Sequence, residues 1–148
     1  MITIRPKPFD PWQEMQSYRS SVAGFAGQFG ATNVFIGTLR DFNENEQVKT
    51  MTLEHYPGMT EKQLSTIVDE ARERWPILDA LVIHRVGVIL PNDTIVLVAV
   101  WSSHRGDAFD ACRYIMEALK SRAPFWKKET LQSDQQRWVL KNTNGYQN

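Results

Sequence analysis

The strongest pattern along this chain is a pair of apolar segments in its centre. Residues 80–88 (ALVIHRVGV) and 94–101 (TIVLVAVW) are rich in β-branched residues and are separated by the turn-forming run Pro91-Asn92-Asp93. This pattern predicts two consecutive antiparallel strands. Because residues 94–101 are apolar at nearly every position, this strand is predicted to be central, with both faces covered.

Two other segments place apolar residues at helical spacing. The first begins at Thr60, where Thr60-Glu61-Lys62-Gln63 has the form of a capping box, and ends at Pro76. Its apolar stripe consists of Leu64, Ile67, Val68, Ala71 and Trp75. The second covers residues 105–122, and Pro124 follows as its stop signal. Its stripe consists of Phe109, Cys112, Ile115, Met116 and Leu119.

The rest of the chain predicts short strands around these elements. Strands are expected at residues 2–5, 31–40, 48–56, 125–130 and 137–140, with a weaker helix at 12–23 and a polar loop at 41–47. Since strands come in groups between two main helices, the fold class is α+β with a largely antiparallel sheet. With no internal repeat and no proline-rich linker, residues 1–148 are expected to form a single domain.

Composition narrows the class of protein further. The chain has 17 basic and 17 acidic side chains, so its net charge is zero and gives no general attraction to nucleic acid. The chain has a single cysteine, Cys112, so it cannot form an intramolecular disulfide, which fits a reducing, cytoplasmic compartment. Cys112 itself is interpreted as a core residue. No apolar run approaches the roughly 20 residues that span a bilayer, and no secretion signal is recognised.

The stretch LKSRAPFWKKE, residues 119–129, is the first candidate for chemistry. Lys120 and Arg122 lie in the last predicted helical turn, where the helix dipole alone favours cations. After Pro124 turns the chain, Lys127 and Lys128 add more positive charge within eight residues of Lys120. A partly desolvated lysine in this cluster would have a lowered pKa and could act as a nucleophile or proton carrier. The two interpretations, helix end and functional cluster, are evenly balanced on these residues alone.

Two other segments predict anion contacts. SSHRGD, residues 102–107, lies where a strand meets a helix N-terminus, so His104 and Arg105 would add donors to free backbone N–H groups. The alternative is that Ser102 or Ser103 only caps the helix. GTLR, residues 37–40, ends a strand with an arginine that could clamp a phosphate. The three histidines are widely separated, which makes a metal site improbable, and His84 is interpreted as a structural histidine.

Six stretches together resemble the large, catalytic subunit of molybdopterin synthase, the MoaE family. They are FIGTLR, LEHYPGMTEKQL, VDEARERWP, VIHRVG, SSHRGDAF and LKSRAPFWKKE, and they span about two thirds of the chain in the family's order. The resemblance implies an α/β-hammerhead fold and a homodimer that binds a small ubiquitin-like subunit on each copy, giving a heterotetramer. That subunit ends in a Gly-Gly thiocarboxylate.

The resemblance also implies the reaction and its residues. Sulfur would pass from the thiocarboxylate to cyclic pyranopterin monophosphate, forming the dithiolene of molybdopterin in molybdenum cofactor biosynthesis, with no metal or redox cofactor. Lys120, at an exposed helix end, and Lys127 are the implied catalytic residues, in a pocket that draws on both subunits of the dimer. The implied substrate contacts, besides those two lysines, are Thr38, Leu39, Arg40, His104, Arg105, Lys128, Glu129 and Arg137.

A rival interpretation from another class of protein is a non-catalytic module. In that case the basic residues and Trp126 would bind a partner's peptide tail or single-stranded nucleic acid by stacking and phosphate contacts. The zero net charge and the absence of a broad basic stripe in the sequence count against this interpretation.

Overall fold

Strands and helices follow one another irregularly along the chain, as the α+β class requires. The computed structural model describes residues 1–19, 24–43, 46–139 and 145. The strands are β1 (Ile2–Arg5), β2 (Ala31–Thr38), β3 (Phe42–Asn43), β4 (Glu46–His55), β5 (Ile77–Arg85), β6 (Gly87–Ile89), β7 (Thr94–Ser102), β8 (Phe125–Leu131) and β9 (Gln136–Trp138). The helices are α1 (Pro11–Arg19), α2 (Met59–Arg74) and α3 (Arg105–Arg122).

The first sheet contains the two apolar strands at its centre. Its order is β1-β5-β7-β2, and only the outer pair β1 and β5 is parallel. Alternate residues of β5 and β7 enter two cores: Val82 and Val98 face α2 and α3, whereas Leu81 and Leu97 face α1 and the segment that follows it. The predicted antiparallel pairing and the central place of residues 94–101 are confirmed.

The second sheet is antiparallel and is built around β4. Its order is β3-β4-β8-β9, and β6 also pairs with β4. Residues 80–88 were expected to form one strand, but the chain leaves the first sheet after Arg85 and joins the second at Gly87. Gly87 has a φ of 87°, a conformation that glycine adopts without steric cost. The prediction of a single strand here is wrong for that reason.

The two main helices are confirmed, with corrections at two positions. α2 begins at Met59 rather than at the expected Thr60 cap, because the Glu61 carboxylate accepts a hydrogen bond from the N–H of Gly58. Phe109 was expected on the buried stripe of α3 but is 58% exposed, since the helix turns that position away from the sheet. The remaining members of both predicted stripes pack into or against the core between the helices and the first sheet.

Several strand and helix ends differ from the predictions. β2 ends at Thr38 instead of residue 40, and β3 lies inside the segment expected to be a polar loop. α1 begins at Pro11 and is described to Arg19, so the predicted extension to Ala23 lies outside the described residues. The last strand is β9, and Leu140, its expected end, also lies outside them. No helix in the described ranges is long and apolar enough to cross a membrane.

Candidate functional site

A cavity of about 190 Å³ lies where β5, the last turn of α3 and the start of β8 meet. One side is formed by β5, which contributes a histidine, and the opposite side by the helix end and the returning strand. Its lining residues are His84, Leu119, Lys120, Ser121, Ala123, Phe125 and Lys127. The cavity therefore contains both lysines that the sequence singled out.

The turn between α3 and β8 brings these lysines together. Ala123 takes an extended conformation directly after the helix, and its N–H still donates to the Leu119 carbonyl at 3.2 Å. Pro124 then prevents another helical turn. Thr60, fully buried at the start of α2, donates its hydroxyl hydrogen to the Pro124 carbonyl at 3.2 Å. This hydrogen bond anchors the turn to the body of the protein, so Lys127 returns beside Lys120.

The two lysines share a hydrogen bond and influence each other's protonation. Burial lowers the pKa of Lys120, and the hydrogen bond to Lys127 partly offsets that effect. Burial, the nearby Lys120 charge and the same hydrogen bond lower the pKa of Lys127 to about 7, against a small opposing effect of Glu129. With a pKa of about 7, Lys127 can gain or lose a proton near neutral pH while it shares a hydrogen bond with Lys120. Such a pair can bind an anion and accept a proton near neutral pH.

His84 closes one side of the cavity and is only 2% exposed. Its Nδ1 lies 2.8 Å from the Arg85 carbonyl oxygen, and its ring stacks on Phe125 at 3.9 Å with an interplanar angle of 16°. Burial lowers the pKa of His84 to about 3, with the charges of Lys120, Lys127 and His55 acting in the same direction and the hydrogen bond to the Arg85 carbonyl opposing them. The ring is therefore neutral, with its proton on Nδ1, because a carbonyl can only accept.

Glu129 and Arg137 form an ion pair in which Glu129 is buried and Arg137 is half-buried. Glu129 is 1% exposed, and its carboxylate accepts hydrogen bonds from Arg137 Nε at 3.1 Å and from the Asn43 amide. Arg137 also donates to the Asn43 carbonyl at 3.0 Å. The structure thus uses both residues to join β3, β8 and β9, while Glu129 also acts electrostatically on Lys127. Direct contact of either residue with a substrate stays a prediction.

Lys128 lies on the opposite face of β8 from Lys127, as strand alternation requires. Its ammonium is 5.4 Å from the ring centroid of Trp138, within the range of a cation–π contact. Trp126 lies on that same outward face and is 47% exposed. Trp126 therefore does not form a wall of the cavity, whereas Phe125 does.

The predicted GTLR contacts lie at the end of β2. Leu39 is buried in the main core, and Thr38 and Arg40 are exposed on either side of it. The Leu39 backbone exchanges hydrogen bonds with Asn92 at 2.8 Å and with Asp93 at 3.0 Å. The Leu39 side chain is therefore too deeply buried to contact a substrate in this structure, whereas the side chains of Thr38 and Arg40 are exposed to solvent.

A buried arginine supports the turn that holds Leu39. Arg85 is 4% exposed, donates to the Val88 carbonyl at 2.7 Å and lies 3.7 Å from the Asp93 carboxylate. Strand alternation sends His84 and Arg85 to opposite faces of β5, yet both are buried. The reason is that elements cover both faces of this sheet.

His104 and Arg105 lie at the other end of the molecule from the lysine cavity. In the pairing of β2 with β7, Ala31 lies opposite Ser102 and Thr38 lies opposite Thr94. Thr38 and Ser102 are therefore about 26 Å apart along the strands. Arg105 begins α3 and Lys120 lies in its last turn, which puts them about 22 Å apart at 1.5 Å per residue. Within a single chain, the structure therefore does not bring His104 or Arg105 to Lys120.

Two further residues have settled structural roles. Arg122, which sequence reasoning left without a role, points away from the cavity and donates to both carboxylate oxygens of Glu70 at 2.6 and 2.9 Å. Cys112 is buried, and burial raises the pKa of its thiol to about 11. Its prediction as a core residue is confirmed.

Among the described residues, no group of three His, Cys, Asp or Glu side chains could hold a metal.

Sequence reasoning missed the part that His84 and Thr60 play in the site. Both contribute through long-range contacts, to Phe125 and Pro124 respectively, that leave no short-range pattern. The available signal for His84 was a polar residue inside an otherwise apolar strand, which predicts a buried group with a specific partner. That signal does not identify the partner.

Comparisons with known proteins agree over most of the chain. The family described as MoaE protein matches residues 4–122. A molybdopterin synthase catalytic subunit from Ralstonia nicotianae is 54% identical over 138 residues, covering 93% of this chain and 76% of that protein. The molybdopterin synthase structure from Staphylococcus aureus has a TM-score of 0.79 at 33% identity, covering 92% of this chain and 94% of that chain.

One more solved structure is similar in fold. It is a complex of subunits 1 and 2 of molybdopterin-converting factor from Helicobacter pylori 26695, and the matching chain has a TM-score of 0.78. The match covers 96% of this chain and 92% of that chain at 18% identity, so it shows likeness of fold alone.

Proposed function

This chain belongs to the MoaE protein family, and from that premise we propose that it is the catalytic subunit of a molybdopterin synthase. It transfers sulfur from the C-terminal thiocarboxylate of a small ubiquitin-like subunit to cyclic pyranopterin monophosphate, and so forms the dithiolene of molybdopterin. The observation that supports this function best is the pair of hydrogen-bonded lysines, Lys120 and Lys127, in one cavity.

The electrostatics of the cavity suit this reaction. A thiocarboxylate and a cyclic phosphate are both anions, so a protein of zero net charge has to concentrate cations where they meet. Lys120 supplies a desolvated ammonium that can orient and stabilise negative charge. Lys127, with a pKa of about 7, supplies an amine that takes up a proton at neutral pH and can return it.

The assembly is part of the proposal. The H. pylori structure is a complex of two different subunits, and we extend that arrangement to this chain as a homodimer carrying one small subunit on each copy. A peptide tail ending in Gly-Gly is narrow enough to reach a cavity of about 190 Å³. The cytoplasm, where thiols stay reduced, is the proposed location, and it fits a chain whose one cysteine is unpaired.

The distance between His104 and Lys120 supports a site shared between two copies. If His104 and Arg105 bind the same substrate as Lys120, a second copy has to supply them, because α3 separates them within one chain by about 22 Å. In the family, the pocket is implied to draw on both subunits. The proposed active site is therefore complete only in the dimer.

Mixing two inactive variants tests this shared site. His104→Ala and Lys120→Ala are each expected to be inactive, and refolding them together should restore about a quarter of wild-type turnover, because half of the dimers would then hold one intact site of two. Molybdopterin formation with a loaded partner measures this recovery. Refolding each variant with itself is the control, and failure of the mixture to recover activity would reject the shared site.

Reconstitution tests the function itself. The purified chain, a ubiquitin-like partner ending in a Gly-Gly thiocarboxylate and cyclic pyranopterin monophosphate should together yield molybdopterin, detected as its oxidised fluorescent derivative. A partner ending in an ordinary carboxylate is the matched control and should give none. No product from a fully loaded partner would reject the proposed enzyme and favour the non-catalytic alternative.

That alternative is less well supported by the structure. A module for single-stranded nucleic acid presents its cations and aromatic rings together on an open surface. Here Lys120 and Lys127 line a cavity, while Trp126 and Lys128 lie on the opposite face of β8. The clustered sequence LKSRAPFWKKE is thus divided between two separate surfaces.

A further inference from the structure

The hydroxyl of Thr60 connects two segments that are far apart in the chain. Thr60 is fully buried in the first turn of α2, and its Oγ1 accepts a hydrogen bond from the Tyr56 N–H at 3.1 Å. The same hydroxyl donates to the Pro124 carbonyl at 3.2 Å. Tyr56 directly follows β4, and Pro124 directly precedes β8. One side chain therefore joins the end of β4 to the turn that leads from α3 into β8.

This hydroxyl extends the pairing of β4 with β8 by one step. The last pair in the register is His55 opposite Phe125, so Tyr56 and Pro124 stand where the next pair would lie. The Thr60 hydroxyl accepts from the first of these and donates to the second. Since the hydroxyl both accepts and donates, it satisfies the N–H of one strand end and the carbonyl of the other. The start of β8 is thereby fixed relative to β4.

The start of β8 determines where Lys127 lies. Lys127 is the third residue after Pro124, which places it about 10 Å along an extended strand. Lys120 lies in the last turn of α3, next to Leu119, which is 2% exposed and packs in the main core. Core packing fixes the helix end and the Thr60 hydroxyl fixes the strand start. The distance between the two lysines depends on both.

The charged and titratable groups around Lys127 come from four elements. Lys120 of α3 shares a hydrogen bond with it, and Glu129 of β8 acts on it through charge. His84 of β5 lines the same cavity, and His55 lies on β4, two residues from the position opposite Lys127. Burial and the Lys120 charge are the main causes of the lowered pKa of Lys127. A displaced Lys127 would be better solvated and less repelled, so its pKa would rise towards the ordinary 10.5.

We propose that Thr60 is a positioning residue for the reaction, whose hydroxyl holds the turn after α3 so that Lys127 stays within hydrogen-bond reach of Lys120. The inference rests on the proposed function for its purpose, since that function requires both lysines at one substrate. Thr60 acts through the Pro124 carbonyl, and its role involves no covalent step.

The pH dependence of amine labelling tests this inference independently of sulfur transfer. An amine-reactive acylating reagent modifies only neutral amines, so the labelling midpoint of Lys127, read by peptide mass spectrometry, reports its pKa. Thr60→Val keeps the shape of the side chain but neither accepts nor donates a hydrogen bond. In this variant the Lys127 midpoint should rise by about one pH unit.

Steady-state turnover gives the second measurement. In Thr60→Val, kcat should fall by about 10- to 10²-fold, because small displacements of a reacting group are costly. The KM for the partner should stay nearly the same, because Thr60 is fully buried and presents no surface to it. The acid limb of the kcat profile should move to higher pH together with the labelling midpoint.

Two matched variants separate the hydroxyl from general effects on α2. Thr60→Ser keeps the hydroxyl and should restore both the Lys127 midpoint and turnover. Thr66→Val makes the same substitution at an exposed position of α2, where the hydroxyl donates to the Lys62 carbonyl at 3.0 Å, and should change neither. An unchanged Lys127 midpoint in a folded Thr60→Val, or equal shifts in Thr60→Val and Thr66→Val, would overturn the proposal.

The wild-type chain gives a measurement that does not depend on any variant folding. The hydroxyl proton of Thr60 should exchange slowly with water, and its NMR chemical shift should change with the same pH midpoint as Lys127, because the turn connects the two. A Thr60 hydroxyl that exchanges as fast as that of Thr66, or that is insensitive to pH across this midpoint, would contradict the inference. The expected midpoints in a chain that forms no molybdopterin would keep the positioning of Lys127 by Thr60 and reject the proposed function.

Discussion

Replacing Lys120 with alanine is expected to lower turnover by about 10²- to 10⁴-fold, the range usual for loss of a positioned proton-transfer group. The variant removes the cavity's ammonium and the hydrogen bond that Lys127 receives from it. The sequence suggested an exposed helix end, but Lys120 is half-buried. The fold should nevertheless survive, because burial disfavours this charge, as the direction of its pKa shift shows. Steady-state molybdopterin formation measures the loss.

Arg122→Ala is the matched control for Lys120→Ala. Both residues are cations in the last turn of α3, and their charges interact with the helix dipole in the same way. Arg122, however, pairs with Glu70 outside the cavity. Arg122→Ala should therefore retain turnover. Equal losses in the two variants would attribute the effect to helix-end charge, and normal turnover in Lys120→Ala would remove Lys120 from the mechanism.

Replacing Lys127 with methionine is expected to lower turnover about as strongly as Lys120→Ala does. The same substitution should stabilise the folded protein. The pKa of Lys127 is lowered to about 7 in the folded chain from the usual 10.5. Between those pH values the unfolded chain binds a proton that the folded chain does not, so the contribution of Lys127 to stability rises with pH across this window. Methionine removes the burial penalty at neutral pH, and the free energy of unfolding should rise by about 0.5 to 2 kcal/mol.

Urea unfolding at pH 7 and at pH 10 measures this stabilisation. The gain in Lys127→Met should be larger at pH 7, where the wild-type lysine carries more of its cost, than at pH 10. Lys62→Met, at an exposed position of α2, is the control and should show little change at either pH. A Lys127→Met chain less stable than the wild type at pH 7 would show that the ammonium is well solvated in the cavity.

The pH profile of turnover follows from the same pKa. If Lys127 has to be neutral, wild-type activity should fall on the acid side with a midpoint near pH 7. Lys127→Arg keeps a cation that cannot become neutral at these pH values, and should be inactive throughout. An active Lys127→Arg variant would mean that only the positive charge matters.

Secondary structure was largely predictable because it depends on local patterns. Continuous runs of β-branched residues located both central strands, apolar residues at a period of 3.6 located both main helices, and the prolines marked where the helices end. Predictions failed where a distant contact decided the outcome. Thr60 resembles a helix cap locally, but its hydroxyl binds Pro124, and the chain breaks at Gly87 because β6 pairs with β4 in the other sheet.

The candidate site could be predicted only in part, for a related reason. Lys120 and Lys127 are close in sequence, so a proline between them was enough to predict that they meet. His104 and Arg105 lie at the far end of α3 from Lys120 within one chain, because α3 runs antiparallel to β7, so their place in a site shared by two subunits stays a prediction. The separation of Lys127 from Lys128 onto opposite faces follows from strand alternation once β8 is known.

The sequence by itself determined the α+β class, the paired central strands, the two main helices and the basic cluster around Lys120, since each depends on residues within a few positions of one another. Only the tertiary structure decided that His84 faces the two lysines, that Glu129 is committed to Arg137 and that Arg122 pairs with Glu70 outside the cavity. The physical reason is that burial and hydrogen bonding set the protonation of these groups, and both arise from elements far apart in the chain.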